Sequence, residues 1–330
     1  MNIKENMKKI TFIFIFMLIF IGLKYTRSIA LSIPEPFIFS VVYISNSSSG
    51  QAGTGFLVYR KVNEKEGRVF LISNKHILNP KSLKDEPNED KEARAAVILN
   101  RLENGEIKAL NIEVILRDKE GQEFLRRHPN KDIDVAALDF TPYISEKGTL
   151  KSELKIGFIS EDKLATKDKL EEDFVTVGDK VLILGYPLNL VEGGHCIPIA
   201  RDGVIASYPT SNFRNLPIIL VDATMVRGSS GSPVFLPILP YKVTSKTNIK
   251  IGEITQAKLL GIISKGIIDW SFEIKKTKDI GMEPETISVT DVANLGILFK
   301  AETIIDIINE FGYPAWQLPI QENVKKEKVN

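Results

Sequence analysis

"TMVRGSSGSPVF", residues Thr224 to Phe235, sets three serines and two glycines ahead of a proline and an apolar run. By itself such a cluster is a turn, because glycine reaches positive φ and serine hydrogen-bonds its own backbone. A nucleophilic serine among Ser229, Ser230 and Ser232 requires a histidine and an aspartate upstream in strand-rich sequence. "VFLISNKHIL" supplies His76, where an apolar strand gives way to polar Asn74-Lys75. "NKDIDVAALDF" supplies Asp134 at the mouth of another strand. An imidazole takes a serine's proton near neutral pH when a carboxylate holds its other nitrogen. The glycines let backbone N–H groups around the serine converge on one spot, where an oxyanion can form. His, Asp, Ser is one of the chain orders in which such triads occur. Asp132 competes with Asp134, but the apolar stretch begins directly after Asp134, which leaves Asp132 as a solvated turn residue.

Working outward, the chain reads as short strands. "FIFSVVYIS" (Phe37 to Ser45), "GFLVYRK" (Gly55 to Lys61) and "RVFLISN" (Arg68 to Asn74) are rich in β-branched and aromatic residues and separated by turn formers. Between Ala95 and Leu116, Asn104-Gly105 divides two apolar runs, a strong hairpin signal. "DVAALDF", "KVLILGYP", "GVIASY", "LPIILVDA", "SPVFLPI", "LLGIISKGII" and "NLGILF" continue the pattern. Only "AETIIDIINEFG" (Ala301 to Gly312) reads firmly as a helix, with Ile304, Ile305, Ile307, Ile308 and Phe311 on one face. Many short strands at this spacing predict an all-β sandwich or closed barrels. The charge-dense stretches Lys81 to Ala95 and Ser160 to Asp173 predict solvated loops, the second with a short surface helix.

These blocks, taken in order, resemble the trypsin-like serine peptidases, in the bacterial branch that includes DegP-like proteases and glutamyl endopeptidases. The resemblance rests on Gly53-Thr54-Gly55-Phe56, Ile72-Ser73-Asn74-Lys75-His76-Ile77, Asp134-Val135-Ala136-Ala137-Leu138, "VGDKVLILGYPL", "VDATMVRGSSGSPVF", "LLGIISKG" and "NLGILF" before a terminal helix. It covers most of Ser40 to Phe311. The resemblance implies an all-β, chymotrypsin-like fold of two antiparallel β-barrels and a C-terminal helix. Its N-terminal barrel would run over 34–143 and its C-terminal barrel over 144–315, followed by a polar tail at 316–330. It implies Ser230 as nucleophile, His76 as general base and acid, and Asp134 as the residue orienting His76. The N–H groups of Gly228 and Ser230 would form the oxyanion hole. Thr224, six before the nucleophile, and Met225 and Ile263 would line the primary substrate pocket. No acid stands at the pocket floor to select Lys or Arg. Ile263 stands where glutamyl endopeptidases carry a histidine, with Lys265 nearby, so cleavage after small or medium aliphatic residues is expected. Where many members have a second glycine this chain has Ser232. The polar tail "QENVKKEKVN" leaves no room for the PDZ module that DegP-like enzymes usually carry.

Lys+Arg (43) balance Asp+Glu (42) in the 330 residues, so no global field points to nucleic acid. The resemblance implies polypeptide substrates as partners. One cysteine, Cys196, excludes an internal disulfide framework, and no HExxH spacing marks a metal. No cofactor is expected. His128 reads as a surface histidine in "RRHPNKD". Neighbouring strand residues face opposite ways, so His195-Cys196 does not read as a thiol–imidazole pair. Asn46-Ser47-Ser48 matches a glycosylation acceptor. Lys8-Lys9 before the apolar run Ile10 to Leu23, with Ser28-Ile29-Ala30 after it, reads as a secretory signal or as an N-terminal membrane anchor (1–30). The alternatives to an exported endopeptidase are a catalytically silent peptide-binding member and, ranked lower for want of an activation site between Ala30 and Ser40, a zymogen.

Overall fold

A computed structural model describes residues 33–313, apart from 65, 81–91, 147–148, 192–193, 246–247 and 276–285. Side chains are described within those bounds except at 149, 265–275 and 286–294. The N-terminal signal or anchor, the polar tail and most of the first charge-dense stretch lie outside the described residues. Among those described, no helix is long and apolar enough to cross a membrane.

The first half opens with a helical turn, α1 (Glu35–Ile38), where the sequence pattern predicts strand; Pro34 caps it and Pro36 sits in its first turn, where a missing N–H costs nothing. Seven strands follow: β1 (Val41–Asn46), β2 (Gln51–Lys61), β3 (Gly67–Ser73), β4 (Ala93–Glu103), β5 (Glu106–Arg117), β6 (Leu125–Arg127) and β7 (Ala136–Asp139). They form one sheet in the order β5-β4-β1-β2-β3-β7-β6. The β4–β5 connection is the expected two-residue turn, with Asn104 at φ 53° and Gly105 at φ 83°.

This sheet curves into a half-barrel, the first of the two β units of the expected chymotrypsin-like fold. β5 and β6 make up its two edges, meeting only near the 118–124 turn through the Arg117–Glu123 bridge. The outer half of β5 carries Glu106, Lys108, Asn111 and Glu113, and such polar residues suit an edge left open to water.

A connecting region holds α2 (Thr141–Ile144), the hairpin β8 (Ser145–Glu146) and β9 (Thr149–Leu150), β10 (Ile159–Ser160) and α3 (Lys167–Glu172). β10 pairs parallel to β2 beyond the end of β1, and α3 is the short helix expected in the second charged stretch. Arg60 on β2, fully buried, makes a bidentate pair with Glu161 at 2.7 and 2.6 Å and donates to the Tyr313 carbonyl at 2.9 Å. Its guanidinium thereby ties the sheet, the connector and the C-terminal end together.

The second half is a closed barrel of β11 (Lys180–Gly185), β12 (Ile199–Ile205), β13 (Ile218–Asp222), β14 (Pro233–Leu236), β17 (Lys258–Lys275) and β18 (Thr286–Lys300). Between β14 and β17 a separate hairpin, β15 (Tyr241–Ser245) and β16 (Asn248–Ile251), projects outward. The barrel interior is aliphatic, filled by Val181, Ile183, Ile205, Ile219, Val221, Val234, Leu260, Ile263 and Leu298. α4 (Glu302–Asn309) turns Ile304, Ile307 and Ile308 into a second core, which it shares with Phe70 and Ile72 of the first sheet, Val135 just before β7 and Phe235 of the barrel. A half-barrel and a closed six-strand barrel with a C-terminal helix constitute a mostly β, chymotrypsin-like fold.

α4 also changes the standing of His128. The helix covers the "RRHPNKD" loop, so His128 is buried, with Nδ1 accepting the Asn130 N–H and Nε2 3.6 Å from Asp306. It is not a surface histidine. Asn46 is likewise buried, its amide donating to the Ile77 and Asn79 carbonyls at 2.8 Å. That nitrogen is committed to bracing the segment after His76 and is no glycosylation acceptor in the folded chain.

Candidate active site

The site lies where β3, β7, the 224–232 loop and β17 converge. β3 ends at Ser73, and a single turn, with Ile77 and Leu78 N–H groups bonded to the Asn74 carbonyl, carries His76 outward. Asn74 donates to the Asp134 carbonyl at 2.7 Å, fixing that turn against the segment entering β7. His76 Nδ1 and Asp134 Oδ2 then stand 2.7 Å apart, and the His76 backbone N–H reaches Oδ1 at 3.3 Å. Asp132, by contrast, is exposed, and its backbone N–H bonds the Asn130 side chain within the turn.

Asp134 has one further donor, Ser264 Oγ at 2.7 Å, which the sequence reading missed. Burial pushes the Asp134 carboxyl up, but the His76 hydrogen bond and charge, the Ser264 hydroxyl and the His76 N–H more than offset it. The carboxyl sits below its ordinary value. Ser264 stands at a bulge: β17 pairs with β18 at Ile263 and again at Lys265, with a register shift between them. Its carbonyl accepts Ser230 Oγ at 2.7 Å. One buried serine thus links the carboxylate to the serine of the loop. A polar residue between Ile263 and Lys265 in an apolar strand is the only sequence signal that could have marked it.

The 228–232 loop is fastened to the first sheet through Thr54, within the Gly53-Thr54-Gly55 block. The Thr54 N–H donates to the Ser230 carbonyl and its Oγ1 to the Gly228 carbonyl, both at 2.9 Å. Gly228 and Gly231 lie at φ +82° and +84°. A Cβ on Gly231 would sit 1.8 Å from the Thr54 carbonyl oxygen, and one on Gly228 2.1 Å from that of Tyr186. Gly231→Ala is therefore expected to cost at least about 1–3 kcal/mol from the left-handed backbone alone, before any steric displacement. Urea unfolding checks this, and an unchanged midpoint contradicts it.

The Ser229 and Ser232 N–H groups are used within the loop, bonding the carbonyls of Val226 and Ser229, and the Gly231 N–H bonds the Ile263 carbonyl of β17. Among the described residues no carbonyl accepts from Gly228 N–H or Ser230 N–H.

The expected pocket residues separate. Thr224 is exposed and Met225 packs over Gly296, where a Cβ would meet its Cε at 2.4 Å. Ile263 is fully buried in the barrel core and faces no open wall. Cys196 lies apart, between the two halves. Its Sγ is 3.0 Å from Tyr186 Oη, and its backbone is clamped by Asn100 at 2.6 and 2.7 Å. Burial pushes the thiol up, which leaves it a packing residue. Among the described residues no cluster of His, Cys, Asp and Glu could hold a metal ion.

This arrangement offers a carboxylate-held imidazole, a serine on a glycine-flanked loop and backbone donors without acceptors. No curated protein matches the chain significantly. The family model for the trypsin-like peptidase domain matches residues 53–237, more than half the chain, beginning at the block that holds Thr54 and ending just beyond β14. The chain belongs to the trypsin-like peptidase family.

Proposed function

We propose that this protein is an exported serine endopeptidase that works through His76, Asp134 and Ser230 and an acyl-enzyme intermediate. The observation that carries the reading is the 2.7 Å His76–Asp134 contact, in a carboxylate that Ser264 also holds and connects to Ser230.

Asp134 accepts from His76 Nδ1–H, which leaves Nε2 as the basic nitrogen. Ser230 Oγ turns from the Ser264 carbonyl to Nε2, and an extended substrate strand bonding that carbonyl would drive the turn. Nε2 takes the hydroxyl proton as Oγ attacks the scissile carbonyl, and Asp134 stabilises the imidazolium that forms. The tetrahedral oxyanion is held by the Gly228 and Ser230 N–H groups. His76 then protonates the leaving amine, the C–N bond breaks, and the acyl group remains on Ser230. Water, deprotonated by His76, releases the carboxylic acid and restores the serine.

The Ser230 hydroxyl resting on the Ser264 carbonyl is the one observation that favours a silent, peptide-binding member. A fluorophosphonate probe separates the two readings: covalent labelling at Ser230 supports the peptidase, and an unlabelled folded protein favours the binder. Export rests on the basic-flanked apolar run Ile10 to Leu23. A reporter fused after Ser40 is expected to be active only outside the cytoplasm, and cytoplasmic activity alone would exclude export.

A further inference from the structure

Arg201 lies on β12 on the same face as buried Gly203 and Ile205, opposite Ile183 of β11. That face points into the barrel, and Arg201 is a half-buried cation on it. Nη1 donates to the Thr224 carbonyl at 2.5 Å and Nη2 to Ser229 Oγ at 3.0 Å. Ser229, itself buried, also accepts the Val226 N–H on the same oxygen at 3.3 Å. One guanidinium therefore fastens both ends of the stretch that precedes Ser230. Among the described residues it pairs with no carboxylate, and its Nε is buried without an acceptor. A half-buried cation lacking an anion is costly. The arrangement fits an anion that exists only during turnover.

We propose that Arg201 is a positioning residue of the oxyanion site: it clamps the loop from Thr224 to Ser229 and sets an unneutralised positive charge behind the N–H groups of Gly228 and Ser230. This rests on the reading of Ser230 as nucleophile. Gly228, at φ +82°, has no side chain to resist a flip of its peptide. The clamp at Ser229 supplies that resistance, and the charge favours the state in which the carbonyl oxygen is negative.

The test compares wild type, Arg201→Gln, Arg201→Lys and Ser229→Ala on a peptide with a neutral residue before the scissile bond. Losing one oxyanion donor typically costs roughly 10²–10³ in kcat, so Arg201→Gln is expected to lower kcat by roughly 10² with KM within about threefold. Arg201→Lys should recover part of the loss, and Ser229→Ala should lose less, because each keeps the charge. A peptide trifluoromethyl ketone bound to Ser230 gives a hemiketal oxyanion, whose titration is read by ¹⁹F NMR. Its pKa should rise in Arg201→Gln, a change that loop damage alone does not require. An unchanged kcat in Arg201→Gln, or an unchanged hemiketal pKa, overturns the proposal. So does a loss confined to substrates with an acidic residue at that position, which would make Arg201 a reader of substrate charge. If Arg201→Gln does not fold, wild-type rates in both Arg201→Lys and Ser229→Ala overturn it. Wild type that neither hydrolyses peptides nor reacts with fluorophosphonate removes the peptidase reading, and the role of Arg201 with it.

Discussion

Ser230→Ala is expected to lower peptide hydrolysis by roughly 10⁴- to 10⁶-fold and to abolish fluorophosphonate labelling. Alanine keeps the backbone N–H at 230 and the Thr54 bond to the Ser230 carbonyl, so the loop stays in place and only the attacking oxygen is lost. The neighbouring serines are the controls. Ser229 is buried against Arg201, and Ser232 is fully buried with its Oγ 3.4 Å from Thr54 Oγ1. Neither has a hydroxyl facing His76 that the structure records, so Ser229→Ala and Ser232→Ala should retain measurable turnover. Single-turnover rates on a chromogenic peptide decide it; near-normal rates in Ser230→Ala would remove Ser230 from the chemistry.

Asp134→Asn is expected to lower kcat by roughly 10⁴-fold, because an amide in place of the carboxylate favours the wrong imidazole tautomer. The carboxylate takes Nδ1–H from His76; an amide nitrogen facing Nδ1 would instead donate, moving the proton to Nε2 and removing the base. Asp132→Asn should leave kcat near wild type, since no hydrogen bond joins Asp132 to His76 and its backbone N–H serves the turn at Asn130.

The same substitution has a pH signature in stability. The folded-state value of the Asp134 carboxyl is depressed, so its contribution is present above the ordinary carboxylate value and is lost as pH falls through the depressed one. The stability gap between wild type and Asp134→Asn should therefore be widest above about pH 4 and close below it. Thermal midpoints across pH 2–7 check the direction, and a gap that widens in acid contradicts it.

Much of this architecture was legible because strand patterns and turn formers are local. The short apolar runs that bury Phe56 to Val58 and Phe70 to Ile72 on both faces, the Asn104-Gly105 turn, and the apolar face of α4 each depend on residues a few positions apart. Phe37 to Ser40 misread as strand because the apolar run outweighed Pro34 and Pro36, which start a helical turn there. How far the first half closes is not written in the sequence, because hydrophobic pattern identifies strands but not whether two edges meet.

Sequence by itself determined which residues are candidates for the reactive groups: a histidine after a strand, an aspartate before one, and a serine between glycines that must adopt positive φ. Tertiary structure alone decided what surrounds them. Ser264, Thr54 and Arg201 lie far along the chain from the groups they hold, and no periodicity links a bulged strand, an N-terminal block and β12 to one loop. Ile263 shows the converse, placed at a pocket by the resemblance yet packed in the barrel core on β17. The physical reason is that side-chain type and local backbone preference are written residue by residue. The partners of a buried polar group are fixed only when barrel and sheet close on each other and every donor must find an acceptor.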